Sequence, residues 1–265
     1  MPASLADAGR GAWRDAPLCL AVSAVGPMAL TRALGPHLRR GRATPLPLRE
    51  EVGARAAPPP PSVAPWGPGV VFVSSFVARA TFSRDLAACA ASLQASRPAP
   101  PPPLPAQYAA AKWVCGAGLS LEGGDCSLRG SDLPLAARIR ALPGRVSIAL
   151  GLAVADPGLV PATGLTAAWP GGLAALLRGL GPIAGGSAAE GAAALVAAAR
   201  AATRDASLSS DRSGGVAAPP YFLAARGRVV SAEAGGPLGG EGARALVDVV
   251  WRLAGEAIAS DRVSC

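Results

Sequence analysis

The residues whose types and spacing could do chemistry lie between Gly118 and Ser131, in GLSLEGGDCSLRGS. A strand that turns sharply through Gly123 and Gly124 into a helix places Asp125, Cys126 and Ser127 at the helix N-terminus. Unpaired backbone N–H groups and the helix dipole favour negative charge there. A cysteine so placed gains thiolate character, and neighbouring N–H groups, with Ser127, form an oxyanion cradle. The same residues also fit a plain turn. In that reading Gly123 and Gly124 reverse the chain, Asp125 caps the helix and Cys126 fills a small apolar space.

Other routes to catalysis find less in the sequence. His37 is the only histidine, placed between Gly35-Pro36 and the arginines 39, 40 and 42, and it reads as a surface residue. A Ser–His hydrolase would need a histidine downstream of its nucleophile and a GxSxG elbow, and neither is present. The five cysteines, at 19, 89, 115, 126 and 265, form no CxxC pair, so no metal and no cofactor are expected. Asp205, Asp211 and Asp261 read as capping or turn residues in polar loops.

Elements that would position Cys126 follow from hydrophobic pattern. Leu18–Val25 (LCLAVSAV) reads as a buried strand closed by Gly26-Pro27, with a short helix from 28 to 34 ended by Gly35-Pro36. VVFVSSF, from Val70, is the best strand by its β-branched and aromatic content. Thr81 or Ser83 starts a helix with Leu86, Cys89, Ala90 and Leu93 on one face. PAQYAAAKWVCG reads as a helix ending at Gly116, with Tyr108 and Trp113 in the core, and Ser131–Leu142 as another. Arg145–Val154 is a long apolar strand, fit for burial on both faces of a parallel sheet. An Ala-rich helix from about 188 to 203, a polar loop over 205–220, a strand in PYFLAARGRVV and a helix over 242–259 complete the chain. The prolines at 58–61 and 98–105 read as loops in a single α/β domain over 1–265.

This order of elements resembles the N-terminal half of a β-ketoacyl synthase, in the thiolase-like fold. LSLEGGDCSLRGSDLPLAARIRAL resembles the passage into the family's nucleophile helix, with Cys126 at or one place beyond the nucleophile. RVSIALGLAV resembles the next core strand. The Gly-Glu-Gly-Ala turn and following strand have two candidates, around Glu190 and around Glu241. The resemblance implies a layered αβα architecture with a mixed sheet, and an acyltransferase of ketosynthase type if Cys126 is active. Condensing members use two histidines after the cysteine, and none follows His37 here. Asp125 beside the nucleophile also disfavours its thiolate. The implied role is therefore a non-condensing, chain-length-factor-like protein, partnering an active ketosynthase subunit or an acyl carrier protein in fatty-acid or polyketide synthesis.

Composition frames the alternatives. Of 25 basic residues only Lys112 is lysine, and the net charge is +8. That balance suits an acidic partner. Scattered arginines and 4% aromatic content argue against nucleic acid. With 33 glycines, 27 prolines and 51% hydrophobic residues, the chain forms a core punctuated by loops. The N-terminus, MPASLADAGRGAWRD, carries charges and no apolar core long enough for a signal peptide, and the apolar stretches at 157–177 and from 191 are broken by proline, glycine or arginine, so neither a signal peptide nor a span is expected and the location reads as cytoplasmic. The competing expectation is a structural or interaction component, such as a viral or bacterial assembly factor, with an unrelated α/β fold and proline loops that bind partners.

Overall fold

The computed structural model describes residues 16–38, 68–94, 100–121, 135–142, 150–160, 186–208, 219–223, 229–230 and 240–262. Its sheet has the order β1 (Gly69–Val73), β2 (Gly151–Asp156), β3 (Tyr221–Leu223) and β4 (Val229–Val230). β1 and β2 are parallel, with Val70 opposite Leu152 and Phe72 opposite Val154. β2 and β3 are parallel as well, and β4 returns antiparallel to β3. The fold is thus α/β with a mixed sheet, as expected. PYFLAARGRVV supplies two short strands rather than one.

Alternation along the strands sorts the core. Leu152, Val154, Phe72, Tyr221 and Leu223 face a large helical layer. Ala153 and Ala155 face the opposite side, against Ala198 and Ala202 of α6 (Ala188–Leu208). Small residues let that helix lie close to the sheet: a Cβ on Gly69 would come within 2.9 Å of Ala202 Cβ. Every residue of β2 is buried, as an apolar central parallel strand requires, and Asp156 at its end is buried with the rest; of the expected strand Arg145–Val154, residues 145–149 lie outside the described residues.

The helical layer holds the largest departure from the sequence reading. Leu18–Val25 is helix, not strand: α1 (Leu18–Leu20) continues through a π-helical turn (Ala21–Val25) into α2 (Gly26–Leu38), past both Gly26-Pro27 and Gly35-Pro36. Short apolar runs do not separate buried strand from buried helix. The buried set Leu20, Ala21, Ala24, Val25 and Met28 follows the helical period. Pro27 has no N–H for the Ser23 carbonyl four residues earlier. That carbonyl instead accepts a hydrogen bond from Cys115 Sγ at 3.4 Å. The window Leu18–Gly35 is by length and composition apolar enough to cross a membrane, and 39% of it is buried inside the fold.

The remaining helices fall close to expectation. α3 (Ser83–Gln94) buries Leu86, Cys89, Ala90 and Leu93. α4 (Leu104–Val114) has Pro103 and Pro105 at its start and buries Trp113, while Tyr108 is half-buried. α5 is shorter than Ser131–Leu142 in its described part, Leu135–Arg140. α7 (Glu241–Arg262) buries Leu246, Val249, Val250 and Leu253 against α2 and α3. Asp205 and Asp261 lie within α6 and α7, so they are helical rather than loop residues, and Asp211 lies outside the described residues.

Candidate active site

Gly123, Gly124, Cys126 and Ser127 lie outside the described residues, which end at Leu121 and resume at Leu135. The strand expected to lead into them from Gly118 is instead a 3-10 turn, Ala117–Ser120. The two candidates for the Gly-Glu-Gly-Ala turn are both helix starts. Glu190 lies in the first turn of α6, where its Oε2 accepts hydrogen bonds from Ser187 N at 2.6 Å and Ser187 Oγ at 3.0 Å. Glu190 N donates back to Ser187 Oγ at 3.2 Å. This reciprocal capping box holds the Glu190 carboxyl below its ordinary pKa. Glu241 opens α7. Ala194, Leu195 and Val196 are therefore helical, not strand, because four-residue sidedness and a capping pair outweigh a short apolar run.

The described cysteines are protected thiols. Burial pushes Cys89 up to about 12 and Cys115 up to about 11, and raises Cys19 as well. A raised pKa removes the nucleophile, so these side chains act as small apolar groups. His37 is exposed near the end of α2, as its sequence setting implies. Among the described residues no three His, Cys, Asp or Glu side chains converge as metal ligands.

A different constellation assembles at the carboxyl ends of the parallel strands. After β1 the chain runs through Ser74 and Ser75 into a 3-10 turn (Phe76–Ala80) and joins the helical layer. After β2 the next described helix is α6, on the other face. The carboxyl ends of parallel strands are the customary ligand side of α/β sheets. Ser74, Ser75, Arg79, Tyr108, Lys112, Asp156 and Tyr221 gather at this end, with Lys112 on the outer side of β1.

Backbone ties place Ser74, Lys112 and Asp156. Ser74 N extends the β1 ladder to Ala155 O at 2.8 Å, and Ser74 Oγ donates to Lys112 O at 2.9 Å, locking α4 to the strand end. Lys112 Nζ donates to Val73 O at 3.1 Å and stands 5.7 Å from the centre of the Tyr108 ring. Tyr108, one helical turn earlier, has its pKa raised by burial, while a hydrogen-bonding interaction with the Ser75 side chain works the other way. Asp156 is fully buried and ion-paired to Arg79 at 3.0 Å. Tyr221 is also buried. Ser74 and Arg79 lie near enough to oppose the rise that burial imposes on its phenol, yet its hydroxyl has no partner in hydrogen-bond geometry.

Chemically, Tyr108 is a neutral phenol at physiological pH with an ammonium 5.7 Å from its ring centre. Such a group can donate a proton to a developing oxyanion; Ser75 favours its ionised form, while Cys19 and Asp156 oppose it. Sequence reasoning missed this set by assigning Tyr108 to the core. The available signals were a Tyr and the sole Lys four apart on one helix, following a strand that ends in two serines. Comparison of the chain with protein-family models, with curated proteins and with solved structures finds no match.

Proposed function

We propose that the carboxyl edge of the sheet is a proton-transfer site acting on the oxygen of a carbonyl or alcohol substrate. Tyr108 is its general acid–base, Ser75 orients the substrate oxygen and Lys112 stabilises the phenolate. The observation that carries this reading is the convergence of Ser75, just after β1, with Tyr108 and Lys112 of α4 at the carboxyl end of β1. Reduction of a carbonyl also needs a hydride donor, the chemistry a nicotinamide cofactor supplies.

The test follows absorbance of reduced nicotinamide with a panel of ketones and aldehydes. Turnover lost in Tyr108→Phe and lowered in Lys112→Met, with unchanged circular dichroism, supports the reading. Absence of turnover across the panel, or a fully active Tyr108→Phe, overturns it. A readout independent of substrate uses the fact that the chain has two tyrosines. In Tyr221→Phe protein the remaining phenol is Tyr108, and Ser75→Ala should raise its ultraviolet titration midpoint further.

The ketosynthase-like reading, with its thiolase-like layering, is the second proposal, and its support in the structure is a surface. Phe82 and Leu104 are 60% and 68% exposed, and Arg84 stacks over Phe82 at 5.3 Å. Apolar groups framed by arginine in a chain of net charge +8 suit an acidic acyl carrier protein. Titration with acyl carrier protein tests the partner. Treatment with an acyl thioester or iodoacetamide tests Cys126, which must label faster than Cys89 and Cys115 for an acyl-acceptor role to stand.

A further inference from the structure

Among the described residues β1 lies at the edge of the sheet, yet its sequence is that of an interior strand. Gly69–Val73 (GVVFV) has no charge, proline or bulge, the devices that blunt an exposed edge, and uniformly apolar strands belong inside parallel sheets. Its hydrogen bonds show which groups face outward. Pro68 O accepts from Gly151 N, and Ser74 N donates to Ala155 O, so even-numbered residues of β1 pair with β2. By strand alternation the N–H and C=O groups of Gly69, Val71 and Val73 point to the open side. Of these, Val73 O is taken by Lys112 Nζ, and the others have no hydrogen-bond partner in the described structure.

Beside that open row runs a cleft of about 340 Å³, walled by Val70–Val73 on one side and by Val22, Pro27 and Leu30 on the other, with Lys112 at the carboxyl end of β1. Val22 and Leu30 are 61% and 60% exposed, and Leu18 and Leu34 continue the same stripe at four-residue spacing. The cleft thus combines a backbone ladder with largely apolar walls, which also carry Ser23 and Thr31, and one charged side chain, Lys112.

We infer that this cleft is a docking slot for an extended apolar polypeptide segment, which adds to the sheet as a strand parallel to β1 and places a carboxylate at Lys112. Strand addition supplies partners for the unpaired groups of Gly69, Val71 and Val73, and alternate side chains of the segment cover Val22 and Leu30. Charge sets the direction. A parallel strand brings its carboxyl end to the Lys112 ammonium, whereas an antiparallel one would bring its amino end there. The segment recognised is rich in β-branched residues and ends in a free carboxylate or an acidic side chain.

The experiment measures fluorescence anisotropy of fluorescein-Gly-Val-Thr-Val-Ala-Val, with a free C-terminal carboxylate, on the full chain. Saturable binding is expected, weakened about threefold in the C-terminal amide form of the peptide, the range of an exposed ion pair. Leu30→Glu should weaken it about tenfold by charging the apolar wall. Hydrogen exchange should show new protection at the Val71 and Val73 amides, with Phe72, already paired to β2, unchanged. No saturable binding, equal binding of acid and amide, or no added protection at Val71 and Val73 overturns the inference. The amide comparison requires no protein variant, so a folding defect cannot mask the result.

Discussion

Arg79 and Asp156, separated by most of the chain between β1 and β2, meet at the carboxyl edge of the sheet, with Arg79 Nη2 3.0 Å from Asp156 Oδ2. The other carboxylate oxygen accepts Gly158 N at 2.9 Å, so a wholly buried charge is held from both sides. Gly158, with φ of +70°, takes the left-handed turn that this contact requires.

Arg79→Ala strands the wholly buried Asp156 carboxylate with Gly158 N as its remaining donor, so it should destabilise the fold by about 3–5 kcal/mol. Asp156→Ala should cost less, because the guanidinium it leaves is partly exposed and can be hydrated. Urea denaturation of the two variants checks the order, and equal midpoints would contradict it.

Gly116 follows α4 and lies beneath the Ser74 hydroxyl. A Cβ there would sit 2.6 Å from Ser74 Oγ and 3.1 Å from its Cβ. Gly116→Ala should therefore cost about 1–3 kcal/mol by overpacking. It should also loosen the Ser74–Lys112 tie that seats Tyr108 and Lys112. The expected sign is a lowered Tm, with recovery in the double variant Gly116→Ala, Ser74→Gly.

Arg32 joins α2 to α7 by donating to Trp251 O at 2.7 Å and stacking 4.4 Å from the Trp251 ring centre. A Cβ on Gly255 would come within 2.9 Å of the same guanidinium, which marks how closely it is enclosed. Lysine reproduces the charge but not the planar stack, so Arg32→Lys should cost about 1–2 kcal/mol. Thermal unfolding monitored by tryptophan fluorescence reads the change.

Buried thiols make the fold sensitive to alkali. Cys115 is pushed up to about 11 and Cys89 to about 12, from an ordinary value of 9.0, chiefly by burial. The folded state holds these protons more tightly than the unfolded chain. Their contribution is therefore complete below pH 9 and is lost as pH rises towards 11 and 12. The urea midpoint should fall across that window, and Cys115→Ala should flatten the fall. A midpoint independent of pH between 9 and 11 would refute the assignment.

Local pattern alone determined the strand at Val70–Val73, the buried face of α3, the helix carrying Tyr108 and Trp113, the fully buried β2 and the amphipathic α7. Each depends on a repeat that burial on one face, or on both, imposes directly on neighbouring residues. Tertiary structure decided the rest. Leu18–Val25 is helical because its apolar residues meet α4 and α7 on one face, and because a π-helical turn and Cys115 accommodate Pro27. At Glu190, by contrast, the helix expected over 188–203 prevails over the turn-and-strand alternative through a local signal, the Ser187–Glu190 capping box. Ser75, Asp156 and the Tyr108–Lys112 pair of α4 come from three separate parts of the chain, so their types were visible in the sequence but their meeting was not. Only the parallel pairing of β1 with β2, and the packing of α4 across the end of β1, brings them to one end of the sheet.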